Sequence, residues 1–163
     1  MEKEVVSKLE LKVLGGKGPD KTKYIVNIAN QFHSDKKILL FSLETSRTLL
    51  YANYNLDKSD NITVIDMLTK VEEIKAYLKV EKPNYLLIDS IQLLKTDKEF
   101  EDNQEKIKYI LDILYSCIDE NNVNILVSDY LADEETPDKY SSDAYSKCNQ
   151  IWCIIDNIIT RLK

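Results

Sequence analysis

Three short, continuous apolar runs constrain the fold more than any other feature of the sequence. They are Lys37–Ser42, Tyr85–Asp89 and Val123–Val127. A strand that is apolar at nearly every position is typical of a parallel sheet with helices on both faces. Before the first run and between the others, apolar residues recur at helical spacings of three and four, over Lys21–Phe32, Val71–Leu78 and Ile107–Ile118. This alternation predicts an α/β fold with a doubly wound, mostly parallel sheet.

The rest of the chain adds shorter elements to this pattern. Leu11–Leu14 is predicted to be a strand that runs into a turn-rich loop, and Asp133–Ser142 is predicted to be a polar, acidic loop. A C-terminal antiparallel hairpin is expected to turn at Asp156 and Asn157. The remaining predicted elements are a short helix at Ser46–Tyr54 and strands at Ile62–Ile65, Ile151–Ile155 and Ile158–Leu162.

Length and composition exclude several classes of protein. A chain of 163 residues favours one domain, residues 1–163. No apolar run reaches the length of a membrane span, and the charged start lacks a signal-peptide core, so we expect a cytoplasmic location. The net charge of -6 argues against a general nucleic-acid coat. Cys117, Cys148 and Cys153 form no CxxC pair and are predicted to be reduced thiols.

The strongest functional signal is the set of residues at three predicted strand ends. Gly15–Thr22, Glu44 and Asp89 each follow or end a predicted strand. Because ligands of doubly wound sheets bind beyond the carboxyl ends of the strands, these residues are expected to share one site.

The first of these segments fits a phosphate-loop pattern with one departure. Gly15 is followed after four residues by Asp20, Lys21 and Thr22, and the full pattern has glycine where Asp20 stands. In such a loop the lysine neutralises phosphate charge and the threonine binds Mg²⁺. Asp20 is expected to cost about 1–2 kcal/mol if its backbone is left-handed. It would also repel phosphate by about 4 kcal/mol per charge pair at about 4 Å. An equally good interpretation is a loop that starts a helix capped by Asp20.

Three further segments resemble the C-terminal, RecA-like motor domain of DnaB-type replicative helicases. Phe41–Ser46 is similar to that family's Phe-Ser-Leu-Glu-Met-Ser box, and Leu87–Leu94 to its Ile-Asp-Tyr-Leu-Gln-Leu box. Val26–Ala29 is similar to the family's helix after the phosphate loop. The order and spacing agree from about Leu9 onward. The resemblance implies a RecA-like P-loop fold and a role connected with DNA replication or recombination.

The resemblance also implies roles for single residues. Gly15, Lys21 and Thr22 would bind ATP, and Thr22 and Asp89 would hold Mg²⁺; no other cofactor is expected. Glu44 would activate the attacking water, as a carboxylate beside a phosphate site can. Without the resemblance, Glu44 could equally be an acid favoured at a helix N-terminus, and Asp89 could be a strand-end cap.

The second half of the chain departs from the family's pattern at positions where chemistry is done. Asp129 stands where the family has a glutamine that senses the γ-phosphate, and Tyr145 stands where it has an arginine. The family's final Lys-x-Arg is matched only as far as Lys163. Two segments expected to face DNA are acidic. Thr96–Glu105 has one lysine against five acids, and Asp129–Asp143 has one against six, so direct nucleic-acid binding is doubtful.

Two functions remain open from the sequence. In the first, the chain is a degenerate ATPase with impaired nucleotide binding or hydrolysis that acts through protein interactions, either with itself or with a helicase or replication protein. In the second, it is an active, Mg²⁺-dependent ATPase or helicase motor domain. No membrane partner is expected in either case.

Overall fold

The computed structural model describes residues 8–17, 19–32 and 34–163. Residues 1–7 of the predicted domain and Gly18 of the predicted loop lie outside the described residues. The described residues form the strands β1 (Leu11–Gly16), β2 (Ile38–Ser42), β3 (Ile62–Ile65), β4 (Tyr85–Asp89), β5 (Asn124–Tyr130), β6 (Gln150–Ile155) and β7 (Ile158–Arg161). They also form the α-helices α1 (Asp20–Gln31), α2 (Arg47–Asn53), α3 (Val71–Glu81) and α4 (Asn103–Asn121). Short 3₁₀ helices span Ile91–Leu93, Pro137–Ser141 and Asp143–Tyr145.

The strands form one mixed sheet in the order β3-β2-β4-β5-β1-β6-β7. All neighbouring pairs are parallel except β6 and β7, which form the antiparallel hairpin. Asp156 and Asn157 turn this hairpin with φ values of 51° and 61°. Two successive positive φ angles are the geometry of a type I′ turn, which matches the twist of the flanking strands. The predicted fold class and hairpin are therefore confirmed.

Helices cover both faces of the sheet and produce two apolar cores. On one face, α3 and α4 pack on alternate residues of the central strands, among them Val13, Phe41 and Val127. On the other face, α1 and α2 pack on the intervening residues, such as Leu14 and Leu40. Side chains of a strand alternate between faces, so the parity of a residue along its strand decides which core it joins. The same alternation decides which residues near the strand ends share a face of the sheet.

The segment predicted to be a polar loop, Asp133–Ser142, contains part of the core. It includes the 3₁₀ helix Pro137–Ser141, and Tyr140 is buried against the α3–α4 side of the sheet, as is Tyr145 just beyond the segment. The two rings meet edge to face with their centroids 5.0 Å apart. The acidic composition of the segment concealed the burial of Tyr140, whose large ring can anchor a polar segment on the core.

The three cysteines, Cys117, Cys148 and Cys153, are buried and form no disulfide within the described residues. No helix in the described part of the chain is both long and apolar enough to cross a bilayer.

Candidate functional site

The predicted site residues meet at the carboxyl edge of the central strands. β1 leads through the loop after Gly16 into α1, whose second and third residues are Lys21 and Thr22. Glu44 lies two residues beyond β2, and Asp89 is the last residue of β4. Parallel strands bring these ends to one edge, so residues far apart in the sequence come into direct contact. Lys21, Thr22 and Asp89 are all buried there.

Lys21 is held inside the protein beside a carboxylate. Its side chain is only 1% exposed, and its Nζ lies 3.7 Å from Oε1 of Glu44, which is 31% exposed. The Ser90 hydroxyl donates a hydrogen bond of 2.7 Å to the same Glu44 oxygen. A buried ammonium needs a counter-charge, and Glu44 supplies one while keeping a path to solvent.

Asp89 is surrounded by hydroxyl groups. Thr22 Oγ1 donates to its Oδ2 and Ser128 Oγ donates to its Oδ1, each at 2.5 Å. Burial raises the pKa of the Asp89 carboxyl; the two hydroxyl donors oppose this shift and the nearby Glu44 charge adds to it. The site therefore contains a desolvated carboxylate that any nearby cation would stabilise.

These oxygens suit a magnesium ion chelated by phosphates. Mg²⁺ prefers hard oxygen donors and takes one or two from protein, completing its shell with phosphate oxygens and water. Thr22 and Asp89 provide one hydroxyl and one carboxylate in contact with each other. Within the described residues no cluster of three or more His, Cys, Asp or Glu side chains could hold a metal by itself. Thr22 and Asp89 are therefore the side chains here whose oxygens could contact a Mg²⁺ ion that takes its other ligands from elsewhere.

Gly15 has a structural role that the loop pattern does not require. A Cβ at this position would overlap the Tyr140 ring and hydroxyl. Gly15 is paired in register with Asp129 on one side and Cys153 on the other, and Tyr140 fills the space above this row. Gly15 therefore needs to be glycine because Tyr140 packs against it. This contact lies on the α4 side of the sheet, and Asp89 lies on the other side.

Asp20 is the first residue of α1 and is partly exposed. Its backbone is part of the right-handed helix, so the expected cost of a left-handed conformation does not arise. Asp20 also does not cap the helix, because Pro19 occupies the N-cap position without a side-chain cap. Only the electrostatic part of the predicted cost to phosphate binding remains. The Asp20 carboxylate stands in the first turn of α1, where a phosphate would bind the free N–H groups.

Asp129 does not add its charge to the cluster around Lys21, contrary to the expectation from its place in the sequence. It is fully buried on the other face of the sheet, where Tyr145 OH donates to its Oδ2 at 2.5 Å and Lys139 Nζ lies 3.5 Å away. Among the residues that the structure describes, none hydrogen-bonds the Asp129 Oδ1 or the buried hydroxyl of Tyr140. Burial raises the pKa of Asp129, and Lys139 and Tyr145 oppose that shift.

The buried Asp129 should make stability depend on pH in a definite direction. A carboxyl whose pKa is higher in the folded state than in the unfolded state contributes stability at low pH and loses it as the pH rises. The free energy of unfolding of the native chain, relative to Asp129→Asn, should therefore fall as the pH rises between about 4 and 7. Urea unfolding of both chains across this range measures the difference. A difference that is constant, or that increases with pH, would contradict this account of Asp129.

The two acidic segments differ in how much of their charge reaches solvent. In Thr96–Glu105 the acids lie on the surface, and the exposed Asp97 pairs with Lys70 at 2.6 Å. In Asp129–Asp143, Lys139 pairs with both Asp129 and Glu135, so this segment presents less negative charge than its composition indicates.

Sequence reasoning missed three residues that contact the predicted site residues, namely Ser90, Ser128 and Tyr130. Ser90 follows the β4 strand and orients Glu44. Tyr130, the last residue of β5, places its ring 5.2 Å from Lys21 Nζ. The alternation of side chains along β5 could have predicted the position of Tyr130. Ser128 and Tyr130 share one face of the sheet, and Asp129 lies on the other.

Comparisons with known proteins give a structural likeness at low sequence identity. No family model matches the chain, and no curated protein matches its sequence. The chain superposes on a solved structure described as an ATPase domain with a TM-score of 0.71 and 17% identity, over 91% of this chain and 70% of that one. It is also similar to a DnaB-like replicative helicase described with its interactions with primase, with a TM-score of 0.68 and 17% identity. That match takes in 91% of this chain and about half, 48%, of the helicase. The chain therefore shares the α/β, RecA-like fold of these two structures.

Proposed function

We propose that this chain is a DnaB-like, RecA-fold domain over residues 1–163 that binds Mg²⁺-ATP at Gly15–Thr22 with reduced affinity and hydrolyses it poorly. In this proposal it acts in DNA replication or recombination mainly through contacts with other proteins. One observation carries the nucleotide site: Lys21, Thr22 and Asp89 meet in a buried cluster at the end of a strand–loop–helix unit. Backbone N–H groups at the start of α1, the lysine charge and the hydroxyl–carboxylate pair are the three parts that a Mg²⁺-triphosphate needs.

Two residues support reduced function, because each differs in charge from the residue that the helicase resemblance predicts at its position. The carboxylate of Asp20 stands in the first turn of α1, where it competes with phosphate. Tyr145 replaces the arginine expected from the helicase resemblance, and its hydroxyl is committed to Asp129.

A role through protein contacts is supported by apolar residues at both edges of the sheet. Met67 and Leu68, just after the edge strand β3, are 61% and 62% exposed. Ile158 and Ile159 on the opposite edge strand are 68% and 44% exposed. Exposed apolar patches at sheet edges favour association, either with a second copy or with a replication protein.

Replacing Lys21 with Ala should weaken Mg²⁺-ATP binding by about 10- to 100-fold, since a charge-assisted contact to phosphate is lost. Equilibrium titration with a fluorescent ATP analogue measures this, with Lys23→Ala as the matched control because Lys23 is exposed on the same helix. Chelation of Mg²⁺ should weaken binding by the native chain in the same assay. Equal affinities for the native chain and Lys21→Ala would overturn the proposed site, provided that circular dichroism shows both chains folded.

An active ATPase is the second candidate, and the position of Glu44 favours it. Its carboxylate is partly exposed, beside Lys21, and held by Ser90, which is a suitable arrangement for orienting a water molecule. Turnover that disappears in Glu44→Ala while nucleotide binding persists would favour this candidate over the degenerate one.

A further inference from the structure

The Tyr130 side chain lies on the same face of the sheet as the candidate phosphate site. Side chains alternate along β5, so Tyr130 shares its face with Ser128, which hydrogen-bonds Asp89. Tyr130 is also the register partner of Gly16, the last residue of β1. Its ring centroid is 5.2 Å from Lys21 Nζ, within the range of a cation–π contact. Tyr130 as a residue is 43% exposed, while the Lys21 side chain is 1% exposed. Tyr130 therefore borders the buried ammonium on one side and solvent on the other.

The backbone beneath the Tyr130 ring is held in place from three directions. Its carbonyl accepts hydrogen bonds from Gln92 Nε2 at 3.1 Å and from Lys139 Nζ at 2.8 Å. The next residue, Leu131, donates its N–H to the Gly16 carbonyl at 2.9 Å. These contacts tie the end of β5 to the start of the phosphate loop. Motion at this point is thus confined to the exposed side chain, which can swing by rotation about its own bonds.

Lys21 consequently has two competitors for any phosphate. One is the Glu44 carboxylate and the other is the Tyr130 ring. A phosphate oxygen needs a distance of about 2.7–2.9 Å to the ammonium for a charge-assisted hydrogen bond. An enclosed ammonium offers no such approach until one of the two groups moves. The ring has the weaker hold, because a cation–π contact is weaker than a charge pair in the same partly buried setting.

We propose that Tyr130 is a gate over Lys21, whose ring must leave the ammonium before a phosphate can bind there. This inference rests on the proposed nucleotide site and adds a regulating residue to it. A cation–π contact of this kind is worth about 0.5–2 kcal/mol, which corresponds to roughly a 2- to 30-fold reduction in the accessibility of Lys21. Tyr130 is a positioning residue in this scheme: it acts through Lys21 and takes no part in bond breaking.

The test compares Tyr130→Ala with Tyr130→Phe, which keeps the ring and removes only the hydroxyl. The first readout needs no nucleotide: an amine-acylating reagent is applied, and labelling of Lys21 is followed by peptide mass spectrometry. We expect Lys21 to be labelled roughly 2- to 30-fold faster in Tyr130→Ala than in the native chain, and at the native rate in Tyr130→Phe. The exposed Lys23 is the internal reference and should react equally in all three chains.

The second readout is the affinity of the same three chains for Mg²⁺-ATP. We expect Tyr130→Ala to bind more tightly by a similar factor and Tyr130→Phe to match the native chain. Equal labelling of Lys21 in the native chain and Tyr130→Ala would overturn the gate, as would faster labelling in Tyr130→Phe. Faster labelling of Lys21 in Tyr130→Ala without nucleotide binding by any chain would support the cover over Lys21 and contradict the proposed nucleotide site, so the two failures are distinguishable.

Discussion

Replacing Asp20 with Gly should raise the affinity of the chain for Mg²⁺-ATP by about a hundredfold. Asp20 stands in the first turn of α1, where a phosphate would accept hydrogen bonds from backbone N–H groups. Two unit charges about 4 Å apart repel by about 4 kcal/mol at an effective dielectric of about 20. Because Asp20 is partly exposed, solvent screens part of this repulsion, which leaves about 2–3 kcal/mol. Titration with the fluorescent ATP analogue measures the gain.

The matched variant Asp20→Asn separates charge from shape at this position. It keeps the size of the side chain and removes the carboxylate, so it should give most of the gain seen in Asp20→Gly. The backbone at Asp20 is right-handed helical, a conformation in which glycine has no advantage over other residues. Removal of the charge should therefore account for most of the gain in affinity. A gain confined to Asp20→Gly, with Asp20→Asn binding like the native chain, would contradict the electrostatic account.

Replacing Gly15 with Ala should destabilise the fold by about 1–3 kcal/mol or more, although alanine is the smallest possible addition. The new Cβ would overlap the ring of Tyr140, which is buried and packed against Tyr145. Tyr140→Leu removes the overlapping ring atoms, so the double variant Gly15→Ala/Tyr140→Leu should be destabilised by less than the sum of the two single variants. Urea unfolding of the four chains in this cycle gives the coupling energy. If the two single changes in the free energy of unfolding simply add in the double variant, the fit between Gly15 and Tyr140 is not the reason for glycine at this position.

The sheet and the meeting point of the site residues were predictable for the same physical reason. Uniformly apolar runs such as Tyr85–Asp89 are central parallel strands, and their carboxyl ends must share an edge. Lys21, Glu44 and Asp89 therefore meet at one edge of the sheet, as the order of the strands and helices in the sequence predicts. Their roles in binding ATP, holding Mg²⁺ and activating water remain predictions.

Sequence reasoning missed two kinds of feature. One is the face of the sheet on which a strand residue lies, and the other is the burial of single residues within polar segments. Matching by motif placed Asp129 at the γ-phosphate position, but the register of β5 turns it to the opposite face and turns Tyr130 toward Lys21. Tyr140 lies in a segment so acidic that no hydrophobic period is visible, yet it is only 4% exposed. One aromatic side chain can anchor a polar segment, and composition averaged over the segment does not reveal it.

The central claim, nucleotide binding with poor hydrolysis, is tested most directly by single-turnover ATP hydrolysis with the protein in excess over radiolabelled Mg²⁺-ATP. Bound and cleaved nucleotide are measured in the same sample, so affinity and chemistry are separated. The account predicts that nucleotide is bound and that cleavage is slow, on the order of 10⁻³ per second or less, as for phosphoryl-transfer sites without an arginine at the transferred group. Cleavage at about 1 per second or faster, abolished in Glu44→Ala, would contradict it and identify an active motor domain.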